Sequence, residues 1–347
     1  MKRHAQAKDI KCGVIGYGGA FNMGREHLKG MQAAGMAPCA VAELDKARLE
    51  VARQDFPGIE TYTSVEQMLR ESGVDLVAVI TPHNTHAALA QQCLEAGRNV
   101  VVEKPMAITT DECDRMMAAA RKSGVILSTY HNRHWDGCIL RAVEEVRRKG
   151  VIGDVFRIEA HMGGYHKPGD WWRSSRTVSG GILYDWGVHL LEYSLQLLQG
   201  KLTEVSGFAH AGFWAPQTPY KDDTIEDEGH LVARFDSGQW LELTMSSLDS
   251  FPKGRERKWV EVTGTKGTYL FEGRTWKTVM QDQGERVERE GENPPGTGHL
   301  FYENLAAALL GKADLVITAE WARRPIHILD LAVRSAKEGR ALPARYA

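Results

Sequence analysis

Asp185 and His189 form the pair whose residue types and spacing best suit acid–base chemistry. They occur in the pattern Gly180-Gly181-x₃-Asp185-x₃-His189, inside a stretch that predicts one helix over Gly181–Leu198. Residues four apart on a helix share a face, so we expect the carboxylate to lie beside the imidazole. Such a carboxylate sets the imidazole tautomer and suits a general base that removes a hydroxyl proton while hydride leaves the same carbon. A helix-capping aspartate and a core histidine would explain the same spacing.

A second chemical signal is a lysine placed directly after a buried strand. The apolar run Asn99–Val102 ends in Glu103-Lys104-Pro105, and the run Asp75–Ile80 ends in Thr81-Pro82-His83-Asn84-Thr85-His86. A lysine is costly at such a place unless it is used or paired. Both segments are predicted to follow strands of a parallel sheet, at the edge where ligands bind.

The first predicted strand runs into a glycine-rich turn, Gly16-Tyr17-Gly18-Gly19-Ala20. A strand, a GxG turn and a helix form the context of a dinucleotide-binding fingerprint. The third glycine of that fingerprint would fall at residue 21, which is Phe21, whereas Gly24 comes three residues later. We therefore predict a turn lengthened by about three residues, with Gly24 packing the helix against the strand.

Glu43 ends the second predicted strand, about twenty residues after Gly24. A carboxylate at that place hydrogen-bonds the adenosine ribose hydroxyls and repels a 2′-phosphate. The sequence thus favours NAD over NADP. A surface glutamate at a strand end is the simpler alternative.

The elements that must position these residues fall into two halves. Strands alternate with helices up to about residue 125, which predicts a parallel, Rossmann-type sheet covered on both faces. Longer alternating runs separated by short turns follow, which predicts an open, mostly antiparallel sheet. We place a dinucleotide-binding domain at residues 1–128 and a substrate-binding and oligomerisation domain at 129–347, whose last helices can pack back on the first. The polar segment Asp282–Gly298 is predicted to be a surface loop.

Composition excludes several classes of protein. The 347 residues are 43% hydrophobic and 25% charged, and the formal net charge is −2, so a nucleic-acid or membrane partner is not expected. The basic cluster Arg255–Lys258 includes Glu256 and is interpreted as a solvated loop or strand edge. His161 and His166 lack the spacing of a metal site, so no metal is expected. Five scattered cysteines and a polar segment Met1–Asp9 without an apolar run predict a cytoplasmic protein.

Taken together, Gly16-x-Gly18, Thr81-Pro82-x₃-His86, Glu103-Lys104-Pro105 and the Gly-Gly…Asp…His stretch resemble the signatures of the Gfo/Idh/MocA oxidoreductases. The resemblance extends over nearly the whole chain and includes Thr318-Ala-Glu320 near its end. It implies a Rossmann domain joined to an open-sheet domain, whose sheet commonly buries its outer face in a homodimer or homotetramer. This chain departs from the family pattern in its longer glycine turn and in His83, where the family usually has asparagine.

The resemblance also implies roles for individual residues. Lys104 and His189 would act on a substrate hydroxyl, and Asp185 would support His189. Two segments, Tyr130–Trp135 and the aromatic, basic cluster Tyr165–Arg173, would border the substrate. The cofactor residues are expected to be Gly16, Tyr17, Gly18, Ala20, Phe21, Asn22, Glu43, Thr81, Pro82, His83, His86, Glu103 and Lys104. The substrate residues are expected to be Lys104, Arg133, Tyr165, Trp172, Arg173, Asp185 and His189.

These observations predict an NAD-dependent enzyme that moves a hydride to or from a carbinol carbon of a sugar, sugar derivative or cyclic polyol. Two alternatives share the fold. One is a redox-neutral glycosidase that oxidises and re-reduces its sugar with a held NAD. The other is a sensor that binds dinucleotide without turnover. A relative of biliverdin or dihydrodiol reductases is also compatible, because a fold does not fix a substrate.

Overall fold

The computed structural model of the protein describes residues 4–250 and 257–345. The chain divides into two compact units. Unit 1 contains the described residues up to Asn132 together with His299–Arg324, and unit 2 contains Arg133–Gly298 and the residues from Pro325 onward. Arg255 and Glu256, which belong to the basic cluster, and Met1–Arg3 lie outside the described residues.

Unit 1 is built on a parallel sheet, and its described residues form six strands in the order β3-β2-β1-β4-β5-β6. Every residue of β4 and β5 is buried, as expected for strands covered on both faces. The predicted Rossmann sheet is confirmed. Its strands are β1 Lys11–Ile15, β2 Ala37–Ala42, β3 Glu60–Tyr62, β4 Leu76–Val79, β5 Asn99–Val102 and β6 Leu127–Thr129.

Local capping explains where the helices of unit 1 begin and end. Ser64 accepts a hydrogen bond from the Gln67 N–H at the start of α3, and Thr109 forms a reciprocal capping box with Glu112 at the start of α5. Gly124 ends α5 in the left-handed conformation. The helices are α1 Met23–Ala33, α2 Lys46–Asp55, α3 Val65–Glu71, α4 His86–Glu95, α5 Thr110–Ser123 and, later in the chain, α10 Leu300–Leu309.

Unit 2 is built on a larger sheet, in which the described residues form nine strands in the order β14-β13-β12-β11-β7-β10-β9-β8-β15. All neighbouring pairs are antiparallel except β7 with β10, so the predicted mostly antiparallel sheet is confirmed. Its strands are β7 Val155–Gly163, β8 Leu202–His210, β9 Glu228–Phe235, β10 Trp240–Ser246, β11 Lys258–Gly264, β12 Gly267–Phe271, β13 Thr275–Asp282, β14 Glu285–Glu292 and β15 Leu342–Pro343.

The helices of unit 2 include several short ones. The chain enters the unit through α6, which continues as a π-helical turn over Val143–Arg148. The long α11 begins in unit 1 and ends in unit 2. These helices are α6 Gly137–Ala142, α7 Arg176–Ser179, α8 Ile182–Asp185, α9 Gly187–Leu197 and α11 Ala319–Glu338.

The predicted loop over Asp282–Gly298 is wrong for most of its length. Strand β14 pairs along β13 at the edge of the sheet, residues 283–284 form the turn between the two strands, and residues 293–298 are irregular. The side chains of β14 are mostly charged and exposed, and Glu288 pairs with Lys277 of β13 at 2.6 Å. An edge strand of this kind has no alternation of apolar and polar residues, so the hydrophobic pattern of the sequence did not predict it.

The single helix predicted over Gly181–Leu198 is also wrong. Asp185 ends α8, Trp186 interrupts the helix, and His189 lies in the separate helix α9. The argument that Asp185 and His189 share one helix face therefore no longer holds.

Within residues 4–250 and 257–345, no helix has the length and apolar character needed to cross a membrane.

Candidate active site

The glycine turn after β1 is tightly packed at Gly16 and Gly24 and open at Gly18. Gly16 has a φ of +98°, and a Cβ there would lie 2.3 Å from the Ile80 carbonyl oxygen. At Gly24 a Cβ would lie 2.7 Å from the Gly16 oxygen, so this glycine allows α1 to pack closely against the turn, as predicted for the lengthened motif. A Cβ at Gly18 meets nothing within 4 Å. The open space at Gly18, next to the first turn of α1, fits a pyrophosphate.

Contacts from α2 and from the end of β2 hold this turn in place. The Tyr17 N–H donates to Glu43 Oε2 at 2.6 Å, and the buried Tyr17 hydroxyl donates to Asp55 at 2.8 Å. The N–H and the hydroxyl of Tyr17 are thus both engaged within unit 1. Ala20 and Phe21 are exposed, and the Phe21 side chain is 56% accessible.

Arg48 is a residue of this site that the sequence reasoning missed. Its Nε donates to the Tyr17 carbonyl at 2.8 Å, and its Nη2 donates to Asn22 Oδ1 at 3.2 Å. A Cβ built on Gly19 would lie 3.3 Å from its Nη1. The signal in the sequence was the position of Arg48 in the first turn of α2, just after the helix cap Asp45 that follows Glu43.

The segment Thr81–His86, which follows β4, is held by a buried histidine. The Nδ1 of His86 lies 2.8 Å from the Pro105 carbonyl oxygen, and its Nε2 lies 2.8 Å from the Thr81 carbonyl oxygen. Burial lowers the pKa of His86, and its hydrogen bonds to the two carbonyls offset this in part. His83 is 3% exposed, with its ring 5.6 Å from that of His86, while Pro82 is half-buried.

Lys104 is held by the glutamate that precedes it. The Lys104 N–H donates to Glu103 Oε2 at 2.8 Å, and His27 Nε2 lies 2.9 Å from Glu103 Oε1. Burial by itself would raise the pKa of the Glu103 carboxyl. The hydrogen bond from His27 and the charge of Lys104 outweigh burial and lower it. Glu103 is therefore a carboxylate whose two oxygens are both engaged within unit 1.

In unit 2, two glycines with positive φ set up the short helix that ends at Asp185. Gly180 and Gly181 have φ values of +93° and +115°, and a Cβ at Gly181 would lie 2.6 Å from Glu226 Oε2. That same carboxylate accepts the Ile182 N–H at 3.0 Å. The glycine pair is thus needed both for the backbone conformation and for the cap that Glu226 provides.

Asp185 and His189 differ strongly in exposure. Asp185 is 42% exposed, and its Oδ1 lies 3.6 Å from Arg173 Nε. His189 is 4% exposed, and its ring lies edge-on to the Trp186 ring at 5.3 Å. The Trp186 ring also makes two cation–π contacts. The Arg133 guanidinium lies 4.6 Å and the Lys258 ammonium 4.4 Å from its centroid.

The predicted substrate residues of unit 2 fall into separate groups. Arg173 lies 4.7 Å from the centroids of both Trp171 and Trp172, which places Trp172, Arg173 and Asp185 together. Arg133 is paired with Asp136 at 2.9 Å and lines a cavity of about 370 Å³. Tyr165 is exposed and belongs to a different cluster, with Phe213 and Trp214.

Potential metal ligands do not cluster within residues 4–250 and 257–345. No group of three or more His, Cys, Asp or Glu side chains there could hold a metal ion.

Two family models together cover most of the chain. Residues 10–131 match the model of the oxidoreductase family with an NAD-binding Rossmann fold, and residues 140–270 match that of the GFO/IDH/MocA C-terminal domain. The chain belongs to the Gfo/Idh/MocA family of oxidoreductases.

Individual relatives extend over nearly the full chain. It is 29% identical to the scyllo-inositol 2-dehydrogenase (NADP(+)) IolW of Bacillus subtilis, over 99% of this chain and 98% of that protein. An NAD-binding protein from Listeria innocua shares its fold with a TM-score of 0.80 and 25% identity, over 97% of both chains. Levoglucosan dehydrogenase, solved with NADH and levoglucosan, superposes with a TM-score of 0.81 at 18% identity, over 97% of this chain and 100% of that one, which shows likeness of fold alone.

Proposed function

We propose that this protein is an NAD-dependent dehydrogenase that oxidises a secondary hydroxyl of a sugar, a sugar derivative or a cyclic polyol. The observation that carries the proposal is Lys104, fixed at a strand end of an NAD-binding domain by an engaged carboxylate. The scyllo-inositol dehydrogenase activity named for the Bacillus relative supports the substrate class.

The proposed division of labour uses three side chains. Lys104 donates a hydrogen bond to the reacting oxygen, and His189 accepts the hydroxyl proton as general base. Asp185 orients His189 or binds a neighbouring hydroxyl. Bound NAD supplies the hydride acceptor.

Glu43 supports NAD rather than NADP in this proposal. Its Oε2 faces the glycine turn through the Tyr17 N–H, so a 2′-phosphate at the same edge would meet a carboxylate. Arg48 contacts the same turn, where it donates hydrogen bonds to the Tyr17 carbonyl and to Asn22 Oδ1. The relative from Bacillus subtilis is named as NADP(+)-dependent, so both cofactors belong in the test.

The remaining cofactor and substrate assignments stay proposals. His86 is fully buried with both ring nitrogens on carbonyls, so we propose that it positions the two loops rather than contacts NAD. Trp172 and Arg173, beside Asp185, are proposed to bind the substrate through an aromatic face and a cation. Tyr165 and Arg133 lie in separate clusters of side chains, and we propose them as further contacts of the substrate.

A homodimer or homotetramer through the sheet of unit 2 is also proposed. Two large apolar side chains on its strands, Phe156 and Phe208, are 37% and 59% exposed. Light scattering on the purified protein would give its molar mass, and a monomer at micromolar concentration would refute this assignment.

The function is tested by absorbance in the reduced-nicotinamide band. The purified protein is mixed with NAD or NADP and a panel of inositols, aldoses, anhydrosugars and sugar acids. The proposal expects growth of the band with one class of compound, and a higher kcat/KM with NAD than with NADP. The absence of growth with every compound, despite measurable NADH binding, would contradict it.

A redox-neutral glycosidase of the same fold is the second candidate. It would release free sugar from a glycoside without net formation of NADH. The same panel, extended with aryl glycosides, separates the two. Sugar release that depends on bound NAD without accumulation of NADH would support the glycosidase.

A further inference from the structure

A largely buried chain of hydrogen bonds joins two helices of unit 1, α1 and α10, to the loop Glu103-Lys104-Pro105 that follows β5. His27 lies on α1, and its side chain is 0% exposed. Its Nε2 lies 2.9 Å from Glu103 Oε1, and its Nδ1 is hydrogen-bonded to the hydroxyl of Tyr302 on α10. The other oxygen of Glu103 accepts the N–H of Lys104 at 2.8 Å.

The protons in this chain are set by its two ends. A carboxylate only accepts hydrogen bonds, so the Nε2 of His27 carries the proton that Glu103 receives. The Nδ1 of His27 faces the Tyr302 hydroxyl. Burial, together with Tyr130 and Glu103, raises the pKa of Tyr302 well above its usual value, so this hydroxyl keeps its proton.

The chain fixes one side of the Lys104 backbone, and His86 fixes the other. Glu103 cannot rotate away from the Lys104 N–H without breaking its hydrogen bond to His27. On the far side, the carbonyl of Pro105 lies 2.8 Å from His86 Nδ1. A side chain that is to meet a reacting oxygen gains from such a held backbone, because misplacement by about 1 Å can cost about 100-fold in rate.

We infer that His27 and Tyr302 are positioning residues, which act through Glu103 to hold Lys104 in the geometry needed for the hydride-transfer step. The inference rests on the proposed function, since it presumes that Lys104 touches the substrate. Because Glu103 joins His27 and Tyr302 to the Lys104 backbone, we expect these two residues to affect kcat far more than cofactor affinity.

A packing role for His27 must be separated from a positioning role. Its ring lies 4.3 Å from that of Tyr130 and 5.8 Å from that of Tyr302, so any large change at residue 27 also disturbs this aromatic cluster. The test therefore compares two amides of similar chemistry. In His27→Gln the side-chain amide nitrogen falls near the place of Nε2 and can still donate to Glu103. In His27→Asn the amide falls near Nδ1 and keeps only the contact with Tyr302.

Three quantities are measured for both variants: kcat and KM with the fastest panel compound, NADH affinity by fluorescence titration, and the melting temperature. We expect His27→Asn to lower kcat by about 10- to 100-fold, and His27→Gln to stay within about threefold of wild type. Tyr302→Phe should give a kcat between those of the two His27 variants, because it removes the hydroxyl that is hydrogen-bonded to the imidazole. NADH affinity should change less than about threefold in all three variants.

Met31→Ala serves as the matched control for lost packing. Met31 lies one turn further along α1 and is 0% exposed, and its apolar side chain offers Glu103 no hydrogen-bond donor. We expect it to lower the melting temperature while kcat at 25 °C stays close to wild type. Equal kcat for His27→Asn and His27→Gln, or an equal loss in Met31→Ala, would overturn the positioning role.

Lys104→Ala separates this inference from the proposed function. If that variant keeps near-normal turnover, the proposed role of Lys104 fails and the positioning role fails with it. If it loses turnover while His27→Asn does not, only the positioning role is refuted.

Discussion

The two regions proposed to carry the chemistry are built in opposite ways. Lys104 in unit 1 lies on a loop that is held by the half-buried Glu103 and by the buried His27 and His86. Asp185 in unit 2 is 42% exposed and ends a helix of four residues, and the interruption at Trp186 follows it directly. One region is held by buried hydrogen bonds, while the other is framed by short helices and aromatic side chains.

This difference matches two tasks: contact with the reacting hydroxyl, which is the same for every substrate, and recognition of the rest of the substrate, which varies. The lysine has to meet the same atom, a hydroxyl oxygen, whatever the rest of the substrate looks like, and a rigid surrounding suits that task. The residues near Asp185 include Trp172 and Arg173, whose ring and cation can read the shape of a particular substrate. We therefore expect substitutions in unit 1 to act on kcat and those near Asp185 to act more on KM.

The largest effect is expected for Lys104→Ala. Loss of its contact with the reacting oxygen should lower kcat by about two to four orders of magnitude, with NADH affinity nearly unchanged. Stopped-flow or steady-state absorbance measures kcat, and fluorescence titration measures NADH affinity. The control is Lys122→Ala, an exposed lysine near the end of α5 in the same unit. A similar loss in the control would mean that the effect is not specific to Lys104.

The next largest effect is expected at His189. His189→Asn should lower kcat by about 100-fold because the general base is removed, whereas Asp185→Asn should cost only about tenfold. The pH dependence of kcat/KM distinguishes the two: the acidic limb should disappear in His189→Asn and persist in Asp185→Asn. Persistence of that limb in both variants would assign the base to another residue.

The sequence predicted unit 1 better than unit 2, and for a physical reason. Strands β4 and β5 are wholly apolar and buried, and Gly16 and Gly24 occupy places where a side chain would collide, so pattern and structure coincide. The charged edge strand β14 has no such pattern.

Hydrogen bonds between residues far apart in the chain also could not be predicted from the sequence. His27 and Tyr302 are 275 residues apart, and no local spacing reveals their contact. The break at Trp186 was hidden because the same apolar pattern continues on both sides of it. The boundary placed at residue 128 stays a prediction.

A moderate effect is expected for Arg173→Lys. The planar guanidinium lies over two tryptophan rings and 3.6 Å from Asp185, and a lysine ammonium reproduces the charge without the stacking. We expect KM for the substrate to rise about two- to fivefold, which corresponds to about 0.5–1 kcal/mol, while kcat is kept. A fall in kcat with an unchanged KM would place Arg173 in the chemical step instead.

The smallest effect is expected in the pH dependence of stability. The pKa of Glu103 is lowered in the folded protein, so its carboxylate stabilises the fold above the usual glutamate pKa, and this contribution is lost as the pH falls through the folded value. The melting-temperature advantage of wild type over Glu103→Gln should therefore be larger at pH 7 than at pH 4. An advantage that stays constant or grows towards pH 4 would show that the carboxylate is not stabilised by the fold.

Hydride transfer itself is tested most directly by following one deuterium atom. The substrate identified from the panel is labelled with deuterium at the carbinol carbon and incubated with the protein and NAD. Mass spectrometry of the recovered nicotinamide cofactor should then show one deuterium in NADH for each ketone formed. Deuterium that is lost to water, or that returns to the sugar without labelled NADH, would contradict a dehydrogenase.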